Sequence, residues 1–205
     1  MRPGPRTIRA CPHCSEPFEE PTIASGNTFG AKIWSDGKMD APMLPEHHAF
    51  VSCPSCNEPF WVKNSEIIEA LDFDDLDQTE YPNTTCYSKP TPEAYLKGLS
   101  NLAITKDEEN YLRLKLMRCF NDDSRDSEVE KNIPLDQQKN WVRLLEILDN
   151  EPESLIFKAE INREMKRFDL AIDLLNKISD ARFDWVIKAL KSLCEDKNSK
   201  VVVIT

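Results

Sequence analysis

Two pairs of cysteines are the residues of this sequence best suited to chemistry. Cys11 and Cys14 form the first pair, Cys53 and Cys56 the second, and two residues separate the thiols in each. A Cys-x-x-Cys turn brings two thiolates to one point, and two such turns held by a small sheet complete a tetrahedral shell of four sulfurs. A closed shell leaves no position for a substrate. We therefore expect one structural Zn²⁺, which is favoured over iron at such sites.

The residues around the two pairs repeat one another. Proline follows the first cysteine of each pair, at Pro12 and Pro54, and a Pro-Phe dipeptide comes after each pair. This duplication resembles the paired knuckles of zinc ribbons and rubredoxin-type sites. A domain of about sixty residues has little hydrophobic core of its own, so metal binding would supply part of its folding free energy.

The first pair also permits a redox interpretation. Cys-Pro-His-Cys resembles the active-site tetrapeptide of some thioredoxin-like oxidoreductases, in which the first cysteine begins a helix. Here only ten residues precede Cys11, and Pro17 and Pro21 oppose a helix after Cys14. Thiol redox catalysis by Cys11 and Cys14 is therefore kept as a second alternative.

Three histidines are further candidates for ligands or catalysts. His13 lies inside the first knuckle, where its ring is expected to face solvent, and His47 and His48 follow Pro45 in a loop. A histidine without a placed carboxylate or nucleophile is weak evidence of catalysis. We interpret His47 and His48 as a surface pair and assign no catalytic residue.

The segment between the cysteine pairs, residues 25–46, is dense in turn-forming and aromatic residues. One interpretation is a structural insertion in which Phe29 and Trp34 cover the ribbon. The other is a recognition loop for a ligand or peptide. Its contacts would be Asn27, Trp34, Asp36 and Lys38.

This segment and its flanking knuckles resemble a group of uncharacterised bacterial zinc-ribbon proteins. In that group a Cys-Pro-x-Cys pair brackets SGNTFGA, WSDGK and APMLPE, all of which occur here. The resemblance covers most of the first 62 residues. It implies a ribbon followed by a helical region like tetratricopeptide repeats (TPR-like), and it implies no activity.

Short strands and turns are predicted before residue 63. The candidate strands span 7–10, 18–23, 28–34, 49–52 and 59–62. A short helix is predicted over 65–71, and an acidic, proline-containing linker over 72–90.

Helices are predicted after residue 90. Thr91 before Pro92 is an expected N-cap, and Thr105 with Glu108 has the spacing of a capping box, as does Asn150 with Glu153. Apolar residues at three- and four-residue steps predict helices over 105–120, 134–149 and 181–195. Residues 152–178 resemble one tetratricopeptide repeat.

The predicted fold class is therefore α+β, a small β zinc ribbon followed by an all-α TPR-like domain. The expected domains are the ribbon at 1–63, the helix and linker at 64–90, and the helical domain at 91–205. Residues 201–204 form a purely aliphatic run. This run is expected to be a short strand that pairs with the ribbon, a second copy or a partner protein.

The charge of the chain bears on its partners. The net charge is −10, and residues 1–62 contribute −2 before four zinc-bound thiolates add about −2 more. This balance disfavours binding to phosphate backbones. A non-catalytic protein-interaction adaptor with an unidentified protein partner is the favoured function, and a nucleic-acid-binding ribbon is the first alternative. No apolar run of membrane-spanning length occurs and none precedes Cys11, so we expect a cytoplasmic protein.

Overall fold

The computed structural model describes residues 1–72, 75, 78–125 and 132–204. Asp74 and Asp77 of the expected acidic linker lie outside the described residues. Short strands precede a series of helices, as the α+β interpretation predicts. In the part of the chain that is described, no helix is both long and apolar enough to cross a bilayer.

Nine short strands lie in the described part of the N-terminal half. They are β1 (Arg2–Pro3), β2 (Arg6–Ala10), β3 (Pro17–Glu20), β4 (Ile23–Ser25), β5 (Lys32–Ile33), β6 (Met39–Asp40), β7 (Phe50–Ser52), β8 (Pro59–Trp61) and β9 (Glu66–Leu71). The strands predicted over 7–10, 49–52 and 59–62 agree with β2, β7 and β8 to within one residue at each end. Residues 18–23 divide between β3 and β4, and only Lys32–Ile33 of the expected strand 28–34 is extended in a ladder.

The largest sheet has three antiparallel strands in the order β3-β2-β9. Ile8 of β2 stands between Glu19 of β3 and Glu69 of β9, and its side chain is fully buried. β7 and β8 form a separate antiparallel pair in which Val51 lies opposite Phe60. These two pieces of sheet supply the strands that lead into and out of the cysteine turns.

β9 stands where the sequence favoured a short helix over 65–71, so that prediction is wrong. The helical interpretation counted only local spacing, whereas Ile67 and Ile68 are β-branched and prefer extended backbone. β9 also pairs with the edge of β2 that β3 leaves open. Further along, Cys86 bridges Glu19 and Ser88 bridges Ser52, so part of the expected linker lies against the strands.

Six α-helices follow in the described residues. They are α1 (Pro92–Leu99), α2 (Lys106–Asp122), α3 (Leu135–Ile147), α4 (Pro152–Glu164), α5 (Phe168–Leu175) and α6 (Asp184–Glu195). A 3-10 turn over Ala181–Phe183 precedes α6. The predicted helices agree with these bounds to within a few residues.

Two of the three predicted helix caps are confirmed. The Thr91 side chain accepts a hydrogen bond from the Ala94 N–H, and Thr105 and Glu108 form a reciprocal capping box. The third cap is wrong, because α4 begins at Pro152 and its N-cap is Glu151. Proline fits the first helical position, where its missing N–H costs nothing, and this places the cap one residue later than Asn150.

The chain divides into two compact units. The first comprises Met1–Ala31 and Asp40–Leu102, and the second Lys32–Met39 and Ala103–Thr205. This division differs from the predicted domains at both boundaries. α1 belongs with the strands, where it packs on β8, and an eight-residue piece from between the cysteine pairs belongs with the helices.

The aliphatic C-terminal run pairs with that eight-residue piece. Val203 bridges Trp34 in antiparallel fashion, and the Ser35 N–H donates to the Val202 carbonyl at 2.8 Å. The Ile204 N–H donates to the Ile33 carbonyl at 2.8 Å. Residues 33–35 fall within the range expected for the ribbon, so of the three expected pairings the first is observed, as an isolated bridge inside the second unit rather than as a strand of a ladder.

The second unit has two hydrophobic clusters. One joins α4, α5 and α6 through Ala159, Ala171, Leu175 and Leu190. The other joins α2, α3 and α4 through Met117, Trp141, Leu144 and Ile161.

Candidate metal centre

The four cysteines predicted as ligands lie together in the first unit. Their sulfur atoms are all within 4.8 Å of one another, in an arrangement that could hold one metal ion. The Cys11 and Cys56 sulfurs are 3.9 Å apart, and those of Cys14 and Cys53 are 3.7 Å apart. Each of these two close pairs therefore joins one sulfur from the first turn to one sulfur from the second turn. A four-sulfur shell built from two turns requires this arrangement.

Each turn is built by the strands on either side of it. β2 ends one residue before Cys11 and β3 begins three residues after Cys14. β7 and β8 flank Cys53 and Cys56 in the same way. In each turn the residue after the second cysteine has a positive φ, 64° at Ser15 and 61° at Asn57. This left-handed residue reverses the chain so that it can return as the next strand.

The backbone hydrogen bonds of the two turns match one for one. The Cys11 N–H donates to the Glu16 carbonyl and the Cys53 N–H to the Glu58 carbonyl, both at 3.0 Å. The cause is visible in the sequence, because the turns read CPHCSEPF and CPSCNEPF. The sequence analysis noted the shared proline and the shared Pro-Phe dipeptide. It missed the shared glutamate and the fact that the repeat covers all eight residues.

Backbone N–H groups point at the sulfurs that enter each turn. The His13 N–H lies 3.4 Å from the Cys11 sulfur, and the Ser55 N–H lies 3.4 Å from the Cys53 sulfur. Burial alone would raise the pKa of Cys53, but the backbone N–H groups of Cys56 and Ser55, together with the side chains of Cys11 and Cys56, lower that pKa to about 7. Burial raises the pKa of Cys11. Four adjacent thiols cannot all ionise without a cation between them.

The cysteine cluster is part of the hydrophobic core of the first unit. Cys11 and Cys53 are buried and pack with Phe18, Phe60 and Val51. The two phenylalanines are the last residues of the matched repeats, and their rings meet edge to face at 5.3 Å between centroids. A bound metal ion would therefore tie the two turns together beneath a shared aromatic pair.

The three histidines stand outside the cluster of sulfurs. His13 is exposed, as predicted, with its Nε2 atom 3.3 Å from the Pro59 carbonyl oxygen. His47 and His48 line a cavity of about 570 Å³ in the first unit. His47 Nε2 lies 2.9 Å from a carboxylate oxygen of the buried Glu20. His48 is less exposed than a surface pair implies, and its ring packs edge to face on Tyr87.

Neither interpretation of residues 25–46 agrees with the placement of the aromatic residues. Phe29 is 88% exposed, so it does not cover the ribbon. Trp34 is buried in the second unit, where the Arg125 guanidinium lies 4.9 Å from its ring centroid. Lys38 pairs with Asp122 of α2 at 2.7 Å. Trp34 and Lys38 therefore hold the segment to the helices, which argues against the interpretation in which they contact a ligand.

Asp36 is the buried centre of this attachment. Its side chain is fully buried, and the Arg125 guanidinium donates to both carboxylate oxygens at 3.0 and 2.6 Å. Asn121 Nδ2 donates to the same carboxylate at 3.1 Å. The turn that presents Asp36 closes with a hydrogen bond from the Gly37 N–H to the Trp34 carbonyl. Asp36 is thus a structural anchor and not a recognition residue.

A second buried charge pair was not found from the sequence. The guanidinium of Arg163 and the carboxylate of Glu160 are both fully buried and joined by two hydrogen bonds of 2.7 and 2.6 Å. Arg163 also donates to the Lys200 carbonyl and to the Ser35 hydroxyl. It therefore holds both the C-terminal run and the segment around Ser35. Its only signal in the sequence is an ordinary i,i+3 charge spacing on a helix.

Comparison of the chain with known protein families, with curated proteins and with solved structures finds no match.

Proposed function

We propose that this protein is a non-catalytic adaptor in which a structural Zn²⁺ holds the cysteine turns together and the TPR-like helices bind a protein partner. The observation that carries the proposal is the cluster of four sulfurs from Cys11, Cys14, Cys53 and Cys56. The proposal places the protein in the reducing cytoplasm, where thiols are kept available for metal.

The sulfur distances support a tetrahedral four-sulfur metal site, for which zinc is favoured over iron on general grounds. Tetrahedral Zn²⁺ with Zn–S bonds of about 2.3 Å separates its sulfurs by about 3.8 Å. The Cys11–Cys56 and Cys14–Cys53 separations of 3.9 and 3.7 Å lie on either side of that value. Four cysteines would fill the tetrahedral shell and leave no position for water or substrate, so the metal's contribution is to folding.

The redox alternative is less well supported by the local structure. A reactive cysteine in a Cys-x-x-Cys motif usually begins a helix, whose N-terminus stabilises the thiolate. Cys14 is instead followed by a left-handed Ser15 and then by β3. The nucleic-acid alternative is disfavoured by charge, because residues 1–62 are net negative even before metal is bound.

The helical unit supports the adaptor role through its surface and its helix pairing. Trp185 of α6 is 46% exposed and Leu170 of α5 is 53% exposed. Large exposed apolar side chains, and tryptophan above all, are typical of protein interfaces. α4 and α5 pack on each other as an antiparallel helix pair would in a tetratricopeptide-like unit, with Ala159 and Ala171 at the contact.

Co-purification from the native organism under non-denaturing conditions tests the adaptor role. We expect one protein to co-purify in constant proportion with the wild type and to be lost from the Trp185→Glu variant. The Lys139→Glu variant, with its charge change at an exposed position on α3, should retain that protein. A set of proteins that is the same for the wild type and both variants would contradict this placement of the interface.

A further inference from the structure

The cavity beside His47 and His48 has a mostly apolar lining. Its volume of about 570 Å³ lies within the range of about 300–1,000 Å³ that is typical of pockets for small molecules. Every residue that lines it belongs to the first unit and to the described part of the chain. The apolar part of the lining includes Pro3, Pro5, Pro21, Ile23 and Pro45. The cavity therefore depends on neither the second unit nor any undescribed residue.

The backbone of the lining offers few hydrogen-bond donors to a ligand. Four of the lining residues are prolines, which have no N–H. The Gly4 N–H donates to the Thr22 carbonyl at 2.9 Å, and the Tyr87 N–H donates to the Glu19 carbonyl at 3.3 Å. The Thr22 hydroxyl is also used, because it donates to the Pro5 carbonyl.

The guanidinium of Arg6 is committed to its own neighbours. Its Nε atom donates to Glu19 at 3.0 Å, its Nη1 atom to the Thr79 hydroxyl at 2.8 Å, and its Nη2 atom to the Tyr81 carbonyl at 2.8 Å. Each of the three nitrogens thus holds a neighbouring segment. Arg6 is better placed to fix the wall of the cavity than to bind an anion within it.

Two carboxylates of the lining are within reach of a ligand. The side chains of Glu19 and Glu46 are 29% and 37% exposed. A carboxylate accepts more than one hydrogen bond, so the contact of Glu19 with Arg6 leaves acceptor capacity. Both groups also carry negative charge, which attracts a cation.

His47 adds a further acceptor at the same cavity. Its side chain is 54% exposed, and its Nε2 atom lies 2.9 Å from Glu20. The carboxylate of Glu20 also accepts a hydrogen bond from Arg9, so Nε2 of His47 is the donor in its contact with Glu20. In the neutral ring the other nitrogen, Nδ1, is then the acceptor.

The lining therefore favours an organic cation over an anion or a metal ion. Glu19, Glu20 and Glu46 line the cavity against the single guanidinium of Arg6. A metal ion is not indicated, because in the described part of the chain only the four cysteines bring metal-ligating atoms close enough together. An ammonium group has three N–H donors, no acceptor and a positive charge.

We propose that this cavity binds a small organic ammonium ion, a primary amine carried on an apolar body. The ammonium group contacts Glu19, Glu46 and His47, and the apolar body lies against the prolines. None of the residues that line the cavity is a cysteine or belongs to a helix. Ligand binding here is thus a further function beside the proposed adaptor role.

The test follows the imidazole C–H signals of the full chain by NMR at one fixed pH. The protein has three histidines, and the signals of His47 and His13 are assigned by their loss in His47→Phe and His13→Phe. The His13 signal is the internal control, because His13 does not line the cavity. The probe is phenethylammonium, compared with neutral 2-phenylethanol, anionic 3-phenylpropionate and N-acetyllysine amide.

We expect phenethylammonium to shift the His47 signal saturably with a Kd of about 1 mM, while the His13 signal stays in place. The alcohol lacks the charge and should bind about fivefold more weakly. The carboxylate should give no saturable shift at about 20 mM. Equal affinity for the ammonium and the alcohol, preference for the carboxylate, equal shifts of His47 and His13, or no shift at all would each overturn the proposal. Tighter binding of N-acetyllysine amide than of phenethylammonium would also overturn it, in favour of a lysine side chain from a protein.

Glu46→Gln tests the position of the ammonium group without disturbing the core, since Glu46 is exposed. We expect this variant to bind phenethylammonium about threefold more weakly and 2-phenylethanol as the wild type does. Glu66→Gln makes the same charge change at an exposed position of the first unit that does not line the cavity, and it should leave both affinities unchanged. Equal effects of the two variants on phenethylammonium binding would overturn the placement of the ligand in this cavity.

Discussion

The carboxylate of Asp36 is fully buried and accepts two hydrogen bonds from the guanidinium of Arg125, 89 residues later in the chain. Asp36 stands between the two cysteine turns in sequence, yet it belongs to the helical unit. The segment Lys32–Met39 belongs to the second unit, although the residues on either side of it in sequence belong to the first. The sequence motif around Trp34 and Gly37 is therefore explained by the packing of the second unit.

The buried ion pair predicts a large cost for its removal. Asp36→Ala removes two hydrogen bonds of the buried Arg125 guanidinium, which keeps its pairing with Asp122 at 2.7 Å. We therefore expect a loss of about 3 kcal/mol, the lower end of the cost of breaking a buried ion pair. We expect the urea midpoint of the helical circular-dichroism signal to fall accordingly. Asp40→Ala, at an exposed position four residues later, is the control and should change stability little. A loss below about 1 kcal/mol for Asp36→Ala would mean that the carboxylate contributes little to the attachment.

Gly30 and Gly37 have the same φ angle, so alanine substitutions at the two positions give a matched test of the turn at Gly37. Gly30 and Gly37 both have a φ of +72°, so alanine is strained at either by about 1–2 kcal/mol. A Cβ at Gly37 would also lie 3.0 Å from the Phe157 ring and 3.1 Å from the Arg118 guanidinium, whereas a Cβ at Gly30 has open space. Gly37→Ala should therefore lower the free energy of unfolding more than Gly30→Ala. Equal losses in urea denaturation would show that the close approach of Phe157 is relieved without cost.

Glu164 predicts a dependence of stability on pH. Because burial and neighbouring carboxylates raise its pKa in the folded protein, the unfolded chain releases this proton at lower pH than the folded protein. Stability is thus lost as pH rises above the unfolded value of about 4.5 towards the raised folded pKa.

Glu164→Gln removes this titration, since glutamine keeps the shape and carries no charge. We expect the variant to be more stable than the wild type at pH 8, and the difference to shrink towards pH 5 in urea denaturation. Glu195→Gln, at an exposed position, is the control and should follow the wild-type profile. A constant offset between Glu164→Gln and the wild type at all pH values would contradict the account.

Cys53→Ser tests the division of the chain into two units. Cys53 is fully buried in the core of the first unit, and its loss opens the four-sulfur shell. We expect loss of bound metal and unfolding of the first unit, with most of the helical circular-dichroism signal retained because α2 to α6 lie in the second unit. Cys86→Ser, at an exposed cysteine outside the cluster, should keep both the metal and the fold. Loss of the whole helical signal in Cys53→Ser would falsify the division.

Features that depend on a few neighbouring residues were predictable from the sequence. The turns of Cys11 and Cys53 and the caps at Thr91 and Thr105 are local, because the groups that make them lie within five residues. The cap expected at Asn150 failed for an equally local reason, the preference of Pro152 for the first helical position.

Features that depend on distant pairing were not predictable in this way. β9 is a strand because β2 offers it an open edge some sixty residues earlier in the chain. The burial of Asp36 and Arg163 depends on partners from other elements, which no local spacing reveals.

Metal content tests the central claim most directly. The protein is purified without chelator, its metals are measured by elemental analysis, and its free thiols are counted before and after chelation. The account predicts one Zn per chain and four thiols that become reactive only when the zinc is removed, among the seven cysteines of the chain. Protein without metal, in which Cys11 and Cys14 are disulfide-linked or highly reactive, would contradict the structural zinc site and favour the redox alternative.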